Sequence, residues 1–353
     1  METLKPRKHL PRITGPGPRP VGRLKEKCQD FQVDEVPAYG PEGHGEHVFV
    51  RFEKTDQTTA HATRVIADAL GTDPRATGVA GMKDRRAITR QWASFFAGPH
   101  AADVAQKALD LTLPGLRILE ADLHRHKLRT GHLHGNRFRV RVRGGGADTG
   151  QVRDALQVLG ERGTPNYFGT QRFGRNNLER AKAWLVHGGR APRKRFEKKL
   201  LASVLQSHTF NETCAERIRC DRFDRPVEGD VFVKHDTGGL FQTEDGDDAL
   251  QRVRSFAISP TGPMWGPKMR RTDRAAAELE RTVADAHGLT EEVMARLGRH
   301  GAGTRRVLRV RPGDVEVTET EGEPVFQFDL PKGAYATVFL GELFDFDDSP
   351  PDL

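Results

Sequence analysis

Residues 81–92 read GMKDRRAITRQW, and they place one carboxylate, Asp84, among four basic side chains. Because neighbouring positive charge favours the ionised form of a carboxyl group, we expect Asp84 to be a carboxylate. An ionised carboxylate in a basic setting that attracts phosphate is suited to act on a nucleic acid as a nucleophile or a base. A solvated turn that carries an incidental aspartate explains these residues equally well. These residues alone do not distinguish a catalytic aspartate from a solvated turn.

The segments on either side predict that this stretch is a loop between two strands. Gly78–Ala80 precedes it and Trp92–Phe96 follows it, and both are short and apolar or aromatic. Upstream, the alternation in Glu46–Phe52 predicts a strand, and the spacing in Thr59–Leu70 predicts a helix that ends at Gly71. A loop held by rigid elements is a common place for catalytic residues.

The composition is typical of a globular chain of roughly two domains. The 353 residues are 36% hydrophobic and 30% charged, and 56 Lys and Arg against 49 Asp and Glu give a net charge of +7. The three cysteines have no metal-ligand spacing. The N-terminus has no apolar run typical of a signal peptide or a membrane span, so we expect a reducing, cytoplasmic location and no membrane partner.

Several enzyme classes lack their motifs in this chain. We find no phosphate-binding loop, no H-E-x-x-H zinc motif, no G-x-S-x-G nucleophile turn and no kinase set. His44–Glu46 fits the first half of a zinc-deaminase signature, but no P-C-x-x-C follows. We therefore expect neither a metal nor a nucleotide cofactor.

The order of the patterns predicts strands at both ends of the chain and helices in the middle. Alternation in Asn136–Arg143 and again in residues 307–330 predicts strands, whereas residues 194–298 show mainly helical spacing. The longer predicted helices are Leu200–Phe210 and Asp273–Leu297. A mainly β body interrupted by an inserted, more helical domain explains this order.

Two basic segments and one aromatic segment are candidates for binding RNA. Residues 123–143 contain seven Lys or Arg, four His and no acid, which favours a polyanionic partner over a merely solvated face. Arg190–Lys199 is also basic but contains Glu197, and an exposed helix end explains it as well. Asn166–Gly174 mixes aromatic residues with Asn, Gln and Arg, which suits either base stacking or a packed hinge between domains.

These motifs together resemble those of the TruD family of tRNA pseudouridine synthases. The resemblance extends in family order from about residue 22 to residue 344 and rests on the following segments: Lys25 with Asp30–Glu35, Gly43–Val50, Gly81–Arg85 with Ala87, Thr89 and Gln91, Lys127–Phe138, Asn166–Gly174, Thr261–Gly266 and Leu330–Thr337. The string N-Y-F-G-x-Q-R-F-G in the aromatic segment is the most specific of them.

The resemblance implies an α+β fold with two domains. The catalytic domain, residues 23–155 and 306–346, is a pseudouridine-synthase domain with a mixed, mostly antiparallel sheet and flanking helices. The inserted α/β TRUD domain comprises residues 156–305. We expect residues 1–22 to be a basic flexible tail and residues 347–353 an acidic one.

The resemblance also implies the reaction, which is the cofactor-free conversion of a tRNA uridine, at position 13 in bacterial members, to pseudouridine. By position, Asp84 matches the catalytic aspartate and Lys25 the basic residue that pairs with it. Asn136 and Phe138 match active-site residues, and Tyr335 matches an aromatic residue that packs on the flipped uracil. We further expect RNA contacts from Lys83, Arg85, Lys127, Arg129, Arg137, Arg139, Arg141, Asn166, Phe168, Gln171 and Arg172.

The expected substrate is a tRNA, with tRNA-Glu as our first choice, bound by a monomer without a protein partner. Two alternatives stay open. One is an RNA-binding chaperone on the same scaffold, and the other is a synthase that acts on another RNA or another tRNA position. Whether Asp84 attacks C1′ or first removes a ribose proton is also open.

Overall fold

The computed structural model describes residues 10–144, 149–242 and 247–346. The predicted acidic tail and the first nine residues of the predicted basic tail lie outside the described residues. The described chain divides into two compact units. The large-sheet unit comprises residues 19–144, 312–333 and 344–346, and the helix-rich unit comprises residues 10–18, 149–242, 247–311 and 334–343.

The strands, in chain order, are β1 Val21–Gly22, β2 Phe31–Pro37, β3 His47–Thr55, β4 Gly78–Val79, β5 Ile88–Phe96, β6 Leu116–His124, β7 Leu133–Arg141, β8 Thr164–Pro165, β9 Val231–Lys234, β10 Leu240–Gln242, β11 Ile258–Met264, β12 Thr304–Val307, β13 Arg309–Val310, β14 Gly313–Thr320, β15 Glu323–Pro331 and β16 Asp345–Phe346. The α-helices are α1 Thr59–Leu70, α2 Ala101–Leu109, α3 Thr149–Arg162, α4 Asn177–Ala181, α5 Arg195–Arg219, α6 Asp247–Arg254, α7 Arg274–Ala286, α8 Glu291–Gly298 and α9 Ala336–Leu343.

The large-sheet unit is built on one sheet with the order β14-β15-β7-β2-β5-β3-β6. Within this sheet, among the described residues, β2 and β5 form the one parallel pair. This arrangement confirms the predicted α+β class with a mostly antiparallel sheet. Strand β3 pairs with β5 along one edge of β5. On the other edge, β2 pairs with residues 88–90 and β4 pairs with residues 93–94. The chain between β4 and β5 contains Asp84, so the predicted strand–loop–strand unit is confirmed.

Both faces of the sheet centre are buried. On one face, Val48, Val50 and Phe52 of β3 pack against α1 and α2, as their alternation predicts. On the other face, Phe49 and Trp92 pack together with residues of neighbouring segments. Helix α1 has the predicted bounds, and it ends at Gly71 with a left-handed φ of 78°. Rigid, buried elements therefore lie on both sides of the Asp84 loop.

The helix-rich unit contains a four-stranded antiparallel sheet, β10-β9-β11-β12, and the long helix α5. Helix α5 extends beyond the predicted Leu200–Phe210 at both ends. The single predicted helix Asp273–Leu297 is wrong, because the chain breaks into α7 and α8. Gly288 between them has a φ of +70°, and the Thr290 side chain accepts a hydrogen bond from the Val293 amide to start α8.

The helix-rich unit includes the described residues of the predicted insertion, residues 156–305, together with four segments that the sequence places elsewhere, residues 10–18, 149–155, 306–311 and 334–343. Residues 10–18 and 334–343 pack with each other, and the Ile13 amide donates to the Glu342 carboxylate at 3.0 Å. The Tyr167 hydroxyl also donates to the Pro11 carbonyl at 3.1 Å. Tyr335 consequently belongs to this unit. Within the described residues, no helix is both long and apolar enough to cross a membrane.

Candidate functional site

The Asp84 side chain forms an ion pair with Lys25 inside the large-sheet unit. Lys25 Nζ lies 2.5 Å from Asp84 Oδ2, and the aspartate side chain remains 33% exposed. Lys25 has a left-handed φ of 60°, which is uncommon and costly for a residue other than glycine. The pair expected from the family resemblance is therefore present, and the carboxylate keeps an open side toward solvent.

Lys54 is a second lysine at Asp84, and it is not among the site residues predicted from the sequence. Its Nζ donates a hydrogen bond to the Asp84 main-chain carbonyl at 2.6 Å. Lys54 is 0% exposed, and this burial lowers the pKa of its ammonium group to about 8. One signal was available in the sequence: strand alternation puts Lys54 on the same buried face as Val48, Val50 and Phe52, where a lysine is unusual.

A chain of hydrogen bonds fixes the Asp84 loop to α1 and β5. The Lys83 amide donates to Thr59 Oγ1 at 2.9 Å, and that hydroxyl donates to Gln91 Oε1 at 2.9 Å. Gln91 Nε2 in turn donates to the Gly81 carbonyl at 3.3 Å. Because Thr59 and Gln91 are buried, this network holds the loop backbone without contact to solvent.

Lys83 and Glu35 form a buried ion pair beside the loop. Their charged atoms lie 2.6 Å apart, and the side chains are 5% and 1% exposed. Glu35 also accepts a hydrogen bond from the Trp92 amide at 3.2 Å. Lys83 is therefore buried against Glu35, and little of its side chain is accessible for the RNA contact that we expected from the sequence.

Asn136 and Phe138 lie on β7, next to β2. Asn136 is directly opposite Glu35, and its Oδ1 is buried and accepts no hydrogen bond from the described residues. Phe138 is buried, stacks on Phe328 at 5.3 Å and meets the Phe31 ring edge-on at 6.0 Å. Lys25 Nζ lies 4.1 Å from the centre of the Phe31 ring. Phe138 therefore packs against Phe31, whose ring lies next to Lys25. The Oδ1 atom of Asn136 is a hydrogen-bond acceptor without a partner among the described residues.

Acidic residues on neighbouring segments neutralise part of the basic stretch 123–143. Arg137 binds Asp329 at 2.9 Å, Arg141 binds Glu321 at 3.1 Å, and Arg143 binds Asp30 at 2.7 Å. These acidic partners are far from residues 123–143 along the chain, so the sequence of the stretch does not show them. Within the described residues, three cations of this stretch have no carboxylate within 4.0 Å: Lys127, Arg129 and Arg139. Exposed Arg85 lies 3.3 Å from Asp56.

The first part of the aromatic segment, Asn166–Gly169, packs within the helix-rich unit, whereas Thr170, Gln171 and Gly174 are exposed. Asn166 is buried and its Oδ1 accepts a hydrogen bond from Arg306 at 2.6 Å. The Arg306 guanidinium lies 4.1 Å from the centre of the Phe168 ring, and Tyr335 meets that ring edge-on at 6.2 Å. These contacts give Asn166 and Phe168 a packing role, and Tyr335 is half-buried.

Two other predicted RNA contacts of this segment differ in exposure. Gln171 is exposed, whereas half-buried Arg172 donates to the Ser207 hydroxyl at 3.2 Å. The Arg172 guanidinium also lies 5.7 Å from the centre of the Phe168 ring. Gln171 is therefore more available to RNA than the other predicted residues of the segment.

Comparison with known proteins gives one consistent result. A protein-family model described as "TruD: tRNA pseudouridine synthase D (TruD)" matches residues 16–187 and 194–343. A protein of Anaeromyxobacter dehalogenans named tRNA pseudouridine synthase D is 44% identical over 351 residues, which cover 97% of this chain and 99% of the relative. A protein of the same name from Thermus thermophilus is 40% identical, with 94% and 91% of the two chains covered.

A solved structure agrees with the fold. The crystal structure of a protein from Methanosarcina mazei, described as a tRNA pseudouridine synthase D, superposes with a TM-score of 0.73. The alignment covers 98% of each chain at 21% sequence identity. At this identity the likeness shows a shared fold.

Proposed function

This chain belongs to the TruD family of tRNA pseudouridine synthases, and we propose that it converts uridine 13 of a tRNA to pseudouridine with Asp84 as the catalytic residue. The observation that carries the proposal is the Lys25–Asp84 ion pair on a loop held by buried elements. A fixed, partly exposed carboxylate with one cationic partner is poised to react with a nucleoside that enters from solvent.

The reaction rearranges the bonds of one nucleotide and needs no external reactant. Asp84 acts at the ribose, either by attack on C1′ or by removal of a ribose proton that it later returns to the same carbon, and the N1–C1′ bond breaks. The freed uracil turns, and its C5 forms a new bond to C1′; in the first route the bond between Asp84 and C1′ breaks in this step. The proton on C5 leaves to solvent, N1 gains a proton, and Asp84 is released in its original form.

The neighbouring residues have distinct parts in this proposal. Lys25 opposes the negative charge on Asp84 and orients the carboxylate, since its Nζ is within hydrogen-bonding distance. Lys54 fixes the main chain of Asp84 from the buried side. The free acceptor of Asn136 suits the N3–H group of a uracil, and such a pairing satisfies a buried atom that otherwise has no partner. We assign to Tyr335 the stacking on the extruded base.

We further propose that the substrate is tRNA-Glu and that a cytoplasmic monomer without a protein partner binds it. In this proposal the large-sheet unit is the catalytic domain, and the helix-rich unit contains the TRUD insertion. The three cations of residues 123–143 without a carboxylate partner would bind phosphates. The uridine must leave the base stack before Asp84 can reach its ribose, so RNA binding and base extrusion precede the chemistry.

An unmodified tRNA-Glu transcript tests the function and the position together. We expect the purified protein, without added cofactor, to form pseudouridine at position 13 and nowhere else, as mapped by primer extension after carbodiimide treatment. The matched control is the same transcript with cytidine at that position. Pseudouridine at another site would contradict the proposed position, and its absence from tRNA-Glu and from bulk unmodified tRNA would contradict the function.

A further inference from the structure

The helix-rich unit contains a cluster of three potential metal ligands that the proposed reaction does not use. His208 and Glu212 lie one turn apart on α5, and His287 immediately follows the last residue of α7. One ligand atom from each of the three residues lies within 4.8 Å of the other two. The cluster therefore connects two helices through side chains that commonly bind metals.

The two imidazole rings already have a separation that suits a metal ion. His208 Nε2 and His287 Nδ1 are 3.3 Å apart, and the ring planes meet at 88°. A tetrahedral zinc ion with Zn–N distances of about 2.0–2.1 Å places two nitrogen ligands about 3.3 Å apart. The carboxylate of Glu212 lies 3.9 Å from His208 Nδ1 and 3.9 Å from His287 Nε2, which are the ring nitrogens that do not face each other. Coordination by all three residues therefore requires the carboxylate, whose side chain is 21% exposed, to shift toward the facing nitrogens.

A hydrogen bond between the histidines does not account for the whole cluster. Such a bond uses one nitrogen of each ring and leaves Glu212 out. Within the described residues, the Glu212 carboxylate accepts no hydrogen bond, and its contacts below 4.0 Å with basic groups are those to His208 and His287. The Glu212 carboxylate therefore has no hydrogen-bond donor among the described residues.

Two cationic side chains oppose metal binding at the cluster. Lys182 and Arg219 lie near His287 but more than 4.0 Å from Glu212, and their positive charge opposes the binding of a cation.

We propose that His208, Glu212 and His287 bind one zinc ion, which ties α5 to the end of α7. Water is the fourth ligand, because Glu212 and His287 are 21% and 23% exposed. Two nitrogen ligands and a single carboxylate suit zinc better than magnesium or calcium, which prefer oxygen ligands. The site is structural and independent of the proposed isomerase activity. The sequence gives no motif for it, because His287 is 79 residues from His208.

Zinc titration of the full-length, metal-free protein tests the site. We expect one zinc ion per chain by isothermal titration calorimetry, a higher midpoint of thermal unfolding with zinc, and no such effects with magnesium. Cobalt should give the visible absorption of a tetrahedral site. Loss of a residue that only hydrogen-bonds to a metal ligand weakens metal binding by about 10–100-fold, so loss of a ligand itself in His208→Gln or Glu212→Gln should weaken it at least as much.

Two matched controls exclude binding elsewhere. His61→Gln changes an exposed histidine of the other unit, and Cys220→Ser removes the exposed thiol one residue beyond α5; both should bind zinc like the wild type. His287→Gln, at a half-buried position, repeats the test if His208→Gln fails to fold. The proposal would be overturned by any of three results. These are equal zinc binding by the wild type and all ligand variants, loss of binding in Cys220→Ser, and no zinc binding by the wild type.

Discussion

Lys54 illustrates how burial and hydrogen bonding act together at Asp84. Its ammonium group is inaccessible to solvent, yet it donates to the main-chain carbonyl of the proposed catalytic residue at 2.6 Å. Burying a charge is costly unless the charge gains a partner, so the fold stabilises Lys54 through this contact and through the nearby Asp84 carboxylate. We therefore expect the buried ammonium group of Lys54 to fix the position of the Asp84 loop.

We expect Lys54→Met to lower kcat at least about tenfold with little change in KM for tRNA. The variant keeps the volume of the side chain but loses the bond that fixes the Asp84 main chain, and a displacement of about 1 Å at a catalytic group can cost about 100-fold in rate. Steady-state kinetics on unmodified tRNA measures both constants. A rise in KM without a fall in kcat would show that Lys54 acts on RNA binding.

The same variant has a predicted effect on pH-dependent stability. The pKa of Lys54 falls from 10.5 to about 8 on folding, so between these values the unfolded chain holds the proton that the native chain has lost. The difference in the free energy of unfolding, wild type minus Lys54→Met, should therefore rise as pH increases from about 8 to 10.5. Urea denaturation of both proteins at the two ends of the window measures the difference. A falling difference would contradict the lowered pKa.

At the scale of elements, strand β4 approaches its neighbours so closely that only glycine fits at residue 78. A Cβ atom on Gly78 would lie 2.2 Å from the Leu128 carbonyl oxygen and 2.6 Å from Ser94 Oγ. Because the first of these is a main-chain atom, the strand itself would have to move. This close packing sets the position at which the chain leaves β4 and enters the Asp84 loop.

We expect Gly78→Ala to lower the free energy of unfolding by about 1–3 kcal/mol, the usual cost of overpacking. Gly81→Ala is the matched control, because a Cβ there meets nothing nearer than Lys83 Nζ at 3.6 Å. Denaturant unfolding of both variants provides the measurement. Similar stability for the two would mean that β4 moves freely and does not fix the loop.

Local patterns in the sequence predicted the elements around Asp84 well. Strand β3 and helix α1 have clear apolar periodicity, and Gly71 marks the helix end, so each could be read from neighbouring residues. The break between α7 and α8 was missed because the apolar spacing continues across Gly288, whose positive φ only the fold reveals. The bracing of the loop by Thr59 and Gln91 was also missed, since that contact depends on how α1 packs against β5.

At the scale of the whole molecule, the basic surface is smaller than the sequence suggests. The arginines of β7 alternate along one face, but Arg137 and Arg141 are paired with acids of β15 and its turn, whereas Arg139 has no carboxylate within 4.0 Å among the described residues. Paired arginines have already lost part of their attraction for phosphate. The electrostatic contribution to RNA binding should therefore depend mainly on the unpaired cations.

We expect Arg139→Gln to weaken tRNA binding and to reduce the slope of log affinity against log salt by about 1. Arg137→Gln, on the same strand face, is the matched control and should change the slope less, because its charge is shared with Asp329. Filter binding across a range of salt concentrations gives the slopes. Equal losses in the two variants would mean that pairing in the fold does not decide which arginine binds RNA.

Motifs at fixed positions predicted the family, the Lys25–Asp84 pair and the inserted domain, but not that residues 10–18 and 334–343 pack within the helix-rich unit. Residues 334–343, which contain Tyr335, follow the strands of the large sheet in sequence yet pack within the helix-rich unit. Their contacts with residues 10–18 join segments more than 300 residues apart, as the Ile13–Glu342 bond with a separation of 329 shows. Patterns over short windows carry no information on such contacts.

The most direct test of the central claim is tritium release from unmodified tRNA labelled at uridine C5, with wild type and Asp84→Asn compared in buffer that contains a metal chelator. Asparagine keeps the size of the side chain but removes the charge, so tRNA binding should persist in a filter-binding control. We predict release by the wild type and none above background by Asp84→Asn. Release by Asp84→Asn at the rate of the wild type would contradict the assignment of Asp84 as the catalytic residue.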